Sequence, residues 1–149
     1  MTTTTRNIIE ELKRAATEQG TGEAVRTIAG PALEAWMDAL DGKDADTGRL
    51  DDLAMLMTAR LSIRDAALIA AVEPKLDAAT VIDMAARPHA SKNKTLLTET
   101  LDAAFDDPHI RPDETRLARA VREACAMADR ARKHGGPVAQ PYALAAYLA

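Results

Sequence analysis

Residues 22–40 read GEAVRTIAGPALEAWMDAL, and this stretch decides the fold. Val25, Ile28, Ala29, Ala32, Leu33, Trp36, Met37 and Leu40 recur every three or four residues, which places them on one face of a helix. Gly30-Pro31 falls inside the pattern. Proline lacks a backbone donor and its ring presses on the preceding turn, so a kink or a break is expected there. The register is kept on both sides, so the two halves should face one core.

Working outward, the same period returns in segments separated by glycine, proline and aspartate. Upstream, Ile8, Ile9 and Leu12 with Ala15 and Ala16 predict a helix over 5–18, with Gly20 where a left-handed C-cap belongs. Downstream, 41–48 is a loop of turn residues, followed by a helix over 49–59 with Leu50, Leu53, Ala54 and Met57 inward. Ser62 and Asp65 resemble a capping box opening a fourth helix, which Pro74 stops near Val72. Asp77 should cap a fifth helix ending near Arg87-Pro88. A sixth, over 92–105, should bury Leu96, Leu97, Leu101, Ala104 and Phe105 and stop before Pro108. The seventh runs from Pro112, suited to a first turn, to Lys133, ended by Gly135-Gly136. The last opens at Pro141 and reaches Ala149. No stretch alternates with period two, so no sheet is expected. The expected fold is all-α, one domain over 1–149, a bundle of about seven to eight helices.

Composition agrees with this reading. The chain has 149 residues, of which 47% are hydrophobic and 28% charged, as a single packed domain requires. Aromatics are only 3%, so the core must come from aliphatic residues and alanine, which suits close helix packing. The net charge of −4 speaks against wholesale attachment to phosphate backbones. The one cysteine, Cys125, cannot form an internal disulfide and fits a reducing, cytoplasmic compartment. No secretory leader and no membrane-spanning run is read.

The search for chemistry yields no catalytic, cofactor or metal residues. The loop Asp44-Ala45-Asp46-Thr47-Gly48 suggests calcium, but an EF-hand needs glycine sixth and a bidentate Glu twelfth. Counting from Asp44, those places hold Arg49 and Met55, so helix-capping acids are expected instead. His89, His109 and His134 have no partner at metal spacing. Cys125 lies among Val121, Ala124 and Ala128 and reads as a core residue. Trp36 and Met37 read as core too, unless they stay exposed as a partner surface. Arg64 and Asp65 have a plain structural reading at a helix start.

The seventh helix carries the sharpest pattern. Leu117, Ala120, Val121, Ala124 and Ala128 share one face, and Arg116, Arg119, Arg122, Arg130 and Lys133 cluster roughly opposite. Such a stripe can meet an acidic partner or a phosphate backbone. Glu123 and Asp129 interrupt it, Arg119 can pair with Glu123 at the i,i+4 spacing, and no aromatic interleaves for base stacking. The final helix adds candidate interface residues Tyr142, Tyr147 and Leu148. The leading expectation is a non-enzymatic module that binds another protein or a second copy of itself. A nucleic-acid-associated regulator is the second reading, and a small enzyme using acids such as Asp65 and Asp83 the third.

Two segments, Leu53-Ala54-Met55-Leu56 with Leu61-Ser62-Ile63-Arg64-Asp65-Ala66-Ala67-Leu68, and Pro141 to Ala149, resemble the actinobacterial domain-of-unknown-function family 4192. The resemblance implies an actinobacterial or phage origin and a helical fold, and brings no activity. Members of that family usually open with an α/β segment and carry a further helical pair, so this chain looks like the helical part of that architecture.

Overall fold

The protein was described from a computed structural model, which defines residues 7–106 and 113–149 and, at 105 and 106, the backbone alone. The expected helix start at Thr5, the burial of Phe105, and the expectations for Pro108, His109 and Pro112 lie outside the described residues. The elements are α1 (Ile8–Gln19), α2 (Thr21–Ala24), a π-helical turn (Val25–Ala29), α3 (Gly30–Leu40), α4 (Thr47–Ala59), α5 (Leu61–Val72), α6 (Ala78–Ala86), α7 (Ser91–Asp106), α8 (Glu114–Lys133) and α9 (Ala139–Leu148). Because α2, the π turn and α3 are continuous, these make eight helical rods, and no strand occurs among the described residues. The all-α expectation holds.

Helix ends follow from local chemistry. Side chains of Asn7, Asp46, Asp77 and Asp113 each accept a backbone N–H in the first turn of α1, α4, α6 and α8. Such a cap satisfies a donor that has no helical partner and contributes about 1 kcal/mol. Gly20 ends α1 at φ 88°, a backbone conformation open to glycine.

The expected kink or break at Gly30-Pro31 takes the form of a local irregularity, and the helical rod continues through Pro31. The turn just before it, Val25–Ala29, is widened to π geometry, and this absorbs a ring that would crowd the carbonyl four residues back in a regular helix. One expectation is corrected, because Ser62 does not cap α5. Arg60 is the capping position, and the Ser62 hydroxyl instead donates 2.9 Å to the Ala85 carbonyl of α6, tying two helices.

The central rod is α5, which packs against α3, α4, α6, α7, α8 and α9. It buries Ile63, Ala66, Ala67, Leu68, Ile69, Ala70 and Ala71, as a helix enclosed on most sides must. Around it lie Leu33, Trp36 and Leu40 of α3, Leu53, Leu56 and Met57 of α4, and Met127 and Leu144 of α8 and α9. Trp36 is fully enclosed and its indole N–H donates 3.0 Å to the Ala67 carbonyl, so it belongs to the core and not to a partner surface. Cys125 is half-buried and packed on that core. The α7 expectation is weaker in the structure. Leu96, Leu97, Leu101 and Ala104 are only half-buried, and Asn93 is the enclosed residue of that helix.

Candidate functional site

Among the described residues, three clusters of charged side chains bear on function, and they have different uses. The first is built on Arg116. Ala70 lies four residues before Pro74, which has no N–H to give, so the Ala70 carbonyl lacks its helical donor. Arg116 supplies two, from Nε at 3.1 Å and Nη2 at 2.9 Å, while Nη1 pairs with Asp41. Arg116 is only 4% exposed. It therefore leaves the basic stripe that the helical wheel assigned it to, and clamps α8 to the end of α5 and to the turn after α3.

The second is centred on Asp83 of α6. Its carboxylate receives Arg26 from the π turn, Arg87 at 2.9 and 3.0 Å, and Asn93 Nδ2 at 3.1 Å, with Lys92 Nζ at 3.4 Å. The hydrogen bonds from Arg87 first, and then those from Arg26 and Asn93, hold the Asp83 carboxyl well below its usual range against the opposing effect of burial. A carboxylate so firmly ionised is a poor proton acceptor. Asp65 pairs with its neighbour Arg64 at 2.9 Å. The two acids of the enzyme reading thus serve as ion-pair anchors.

The third cluster is the candidate site. The turn between α3 and α4 and the outer side of α8 enclose a cleft of about 520 Å³. Lys43, Arg119, Arg122 and Arg130 line it, against the acids Asp44 and Glu123. The turn is shaped by Asp46, whose carboxylate caps α4 through Gly48 N–H at 2.8 Å, a structural use for one acid of the calcium-like loop. Arg119 does not form the expected pair with Glu123. Its Nη1 donates 3.2 Å to the Leu40 carbonyl, one of the last in α3, which attracts a cation. Arg130 is bound through Nε to Asp51 of α4 at 2.5 Å and stands on the wall between this cleft and an apolar pocket of about 390 Å³. Arg122 is exposed and has no ion pair among the described residues. Lys133 is exposed beyond the cleft.

Of the five cations expected on one face, three therefore meet at the cleft, one is buried and one lies apart. Lys43 was missed by the sequence reading. Nothing in its local sequence marks it, since only the return of α8 over the turn brings it beside Arg119.

The candidate apolar residues of α9 also divide. Leu148 is buried. Tyr142 is half-buried, donates its hydroxyl 3.2 Å to Asp129 and carries Arg132 over its ring at 5.2 Å. Tyr147 is 54% exposed, with Arg64 5.7 Å above it. Most of α9 is thus spent on packing against α8.

No group of three metal-ligating side chains occurs among the described residues, and none of their helices is long and apolar enough to cross a membrane. None of the known family profiles, curated proteins or solved structures matches the chain.

Proposed function

We propose that the chain is a helical protein-interaction module, with no catalytic chemistry of its own, that receives an acidic segment of a partner protein in the cleft between the α3–α4 turn and α8. One observation carries the reading. Lys43, Arg119 and Arg122 converge from two distant parts of the chain on one recess, and none of the three is consumed by a carboxylate of the fold. Guanidinium groups with unfilled donors favour carboxylates, which they hold with two parallel hydrogen bonds.

The cleft's shape and charge favour a peptide over nucleic acid. A duplex presents a phosphate every few ångströms and rewards a long basic track. Here Lys43, Arg119 and Arg122 gather in one cleft rather than along a track, Glu123 and Asp44 stand among them, and the whole chain carries −4. A short acidic segment needs only the cleft. The single, half-buried Cys125 supports placing this module in a reducing, cytoplasmic compartment.

Fluorescence anisotropy with a labelled oligoglutamate peptide and, separately, a labelled DNA duplex tests the reading. The peptide should bind at low salt, weaken as salt rises, and lose its binding in Arg122→Glu. Failure of the peptide to bind at any salt would overturn the proposal. Tighter binding of the duplex, sensitive to the same substitution, would replace it with the nucleic-acid reading. Sedimentation of the chain alone shows whether the acidic segment is contributed by a second copy.

A further inference from the structure

We infer that Gly42 is a positioning residue for Arg119, whose guanidinium it lets lie flat against the α3–α4 turn, already set to take a carboxylate; this rests on the cleft being the binding site. Gly42 has φ 77°. A Cβ built on it would fall 2.9 Å from Arg119 Cζ, 3.0 Å from Nη2 and 3.1 Å from Nη1, the first too close to stand and the others tighter than most real contacts. The planar group thus rests on bare backbone, on a surface that exists only because the residue has no side chain.

The Leu40 carbonyl fixes one corner of the group by accepting from Nη1 at 3.2 Å. Nε and Nη2 have no acceptor among the described residues. Together they form the side edge of the guanidinium, the edge that grips a carboxylate with two parallel bonds. An arginine held in this way has given up much of its rotamer freedom before a ligand arrives, and less must be lost on binding. Arg122, on the same cleft, has no such support among the described residues. Gly42 therefore serves the site through Arg119 rather than by touching the ligand.

The positive φ and the missing Cβ are separable demands. Asparagine tolerates a positive φ far better than other residues, yet it carries a Cβ. The atoms it would strike are the mobile end of a long side chain, so Gly42→Asn should move Arg119 away and leave the fold intact. The experiment compares wild type, Gly42→Asn, Arg119→Ala and the double variant for thermal midpoint and for affinity to the labelled oligoglutamate. Gly42→Asn should weaken binding about tenfold at an almost unchanged midpoint, the loss expected when one pre-set charged contact goes. In the Arg119→Ala background it should weaken binding no further, because the two substitutions remove one interaction. Equal binding by Gly42→Asn and wild type, or a full additional loss in the double variant, would overturn the inference.

A second measurement needs no ligand. The Arg119 Nε–H resonance should be dispersed in the free wild-type protein and shift to the position of a mobile arginine in Gly42→Asn. A mobile Arg119 in the free wild-type protein also overturns the inference. If the signal behaves as expected but the peptide does not bind wild type, the positioning stands and the functional reading fails instead.

Discussion

Arg116 and Arg122 sit on one helix less than two turns apart, and their fates are opposite. Arg116 is enclosed, with its donors given to the Ala70 carbonyl and to Asp41. Arg122 is exposed at the edge of the cleft. The side chains are identical, so the difference lies in what distant chain brings to each. At Arg116 it brings a helix end whose carbonyl was orphaned by Pro74. At Arg122 it brings a polar recess and no acid that claims the charge. The first arginine is spent inside the fold, and the second keeps its charge without an ion pair among the described residues.

The sharpest way to break this contrast is to substitute each in turn. Arg116→Met keeps the volume but leaves the Ala70 carbonyl and part of Asp41 without a donor. Urea unfolding should show a loss of about 3 kcal/mol, the range for an orphaned buried acceptor together with a broken pair. A loss below about 1 kcal/mol would show that the clamp is dispensable. Arg116→Lys should fall between, because an ammonium cannot reach the carbonyl and the carboxylate with the same fork.

Asp83 offers an intermediate case, since it is partly enclosed but its arginine partners are partly in water. Asp83→Asn should cost about 1–2 kcal/mol, discounted for that solvent screening. The pH dependence has a definite sign. The folded carboxyl titrates well below its ordinary value of 3.8, so the unfolded chain binds the proton more readily. The stabilisation is complete at neutral pH and declines as pH falls below about 5, where the unfolded carboxyl begins to protonate. Wild type should lose more stability than Asp83→Asn between pH 6 and about pH 3; parallel curves would remove the assignment.

The smallest effect on stability belongs to Arg122→Ala, expected within about 0.5 kcal/mol of wild type. Its effect on oligoglutamate binding should nonetheless exceed that of Lys133→Ala, which lies outside the cleft. A stability loss comparable to that of Arg116→Met would erase the distinction between the two arginines.

These outcomes bear on how far the chain could be read before its structure was known. The helices were legible because their signals are local: Asp77 capping α6, Gly20 ending α1, Pro74 stopping α5 and the apolar period of 22–40. The π turn was not, because proline announces that a regular turn cannot continue but not how the backbone will adapt. The burial of Arg116 was hidden for another reason. A helical wheel assigns charged residues outward, and only the α5 end lying against that position makes burial favourable. The signal existed in part, since Pro74 identifies Ala70 as a carbonyl without a donor, but nothing local says which arginine will supply it. The cleft was half legible: the wheel gathered Arg119, Arg122 and Arg130, while Lys43 and Gly42 entered only through tertiary contact.

The widened turn at Val25–Ala29 has a consequence for insertions and deletions. Val25, Ala29 and Leu33 are spaced by two consecutive four-residue steps, slightly longer than one α-helical turn, and a wide turn takes up that drift. The apolar sides of α2 and α3 are thus kept in angular phase by a single local adjustment of pitch. A π turn holds about one residue more than an α turn, so removing one residue from 25–29 should let it tighten to α geometry with both halves still in phase, at the cost of the room it gives the Pro31 ring. Removing one residue from 32–36, where the helix is regular, would instead rotate its two sides by about 100° and turn part of the side bearing Leu33 and Trp36 to water. The same removal between Lys43 and Ala45 would shorten a loop without changing any helix's phase. The chain should therefore be more sensitive to a one-residue deletion in the regular part of α3 than where its backbone is already irregular.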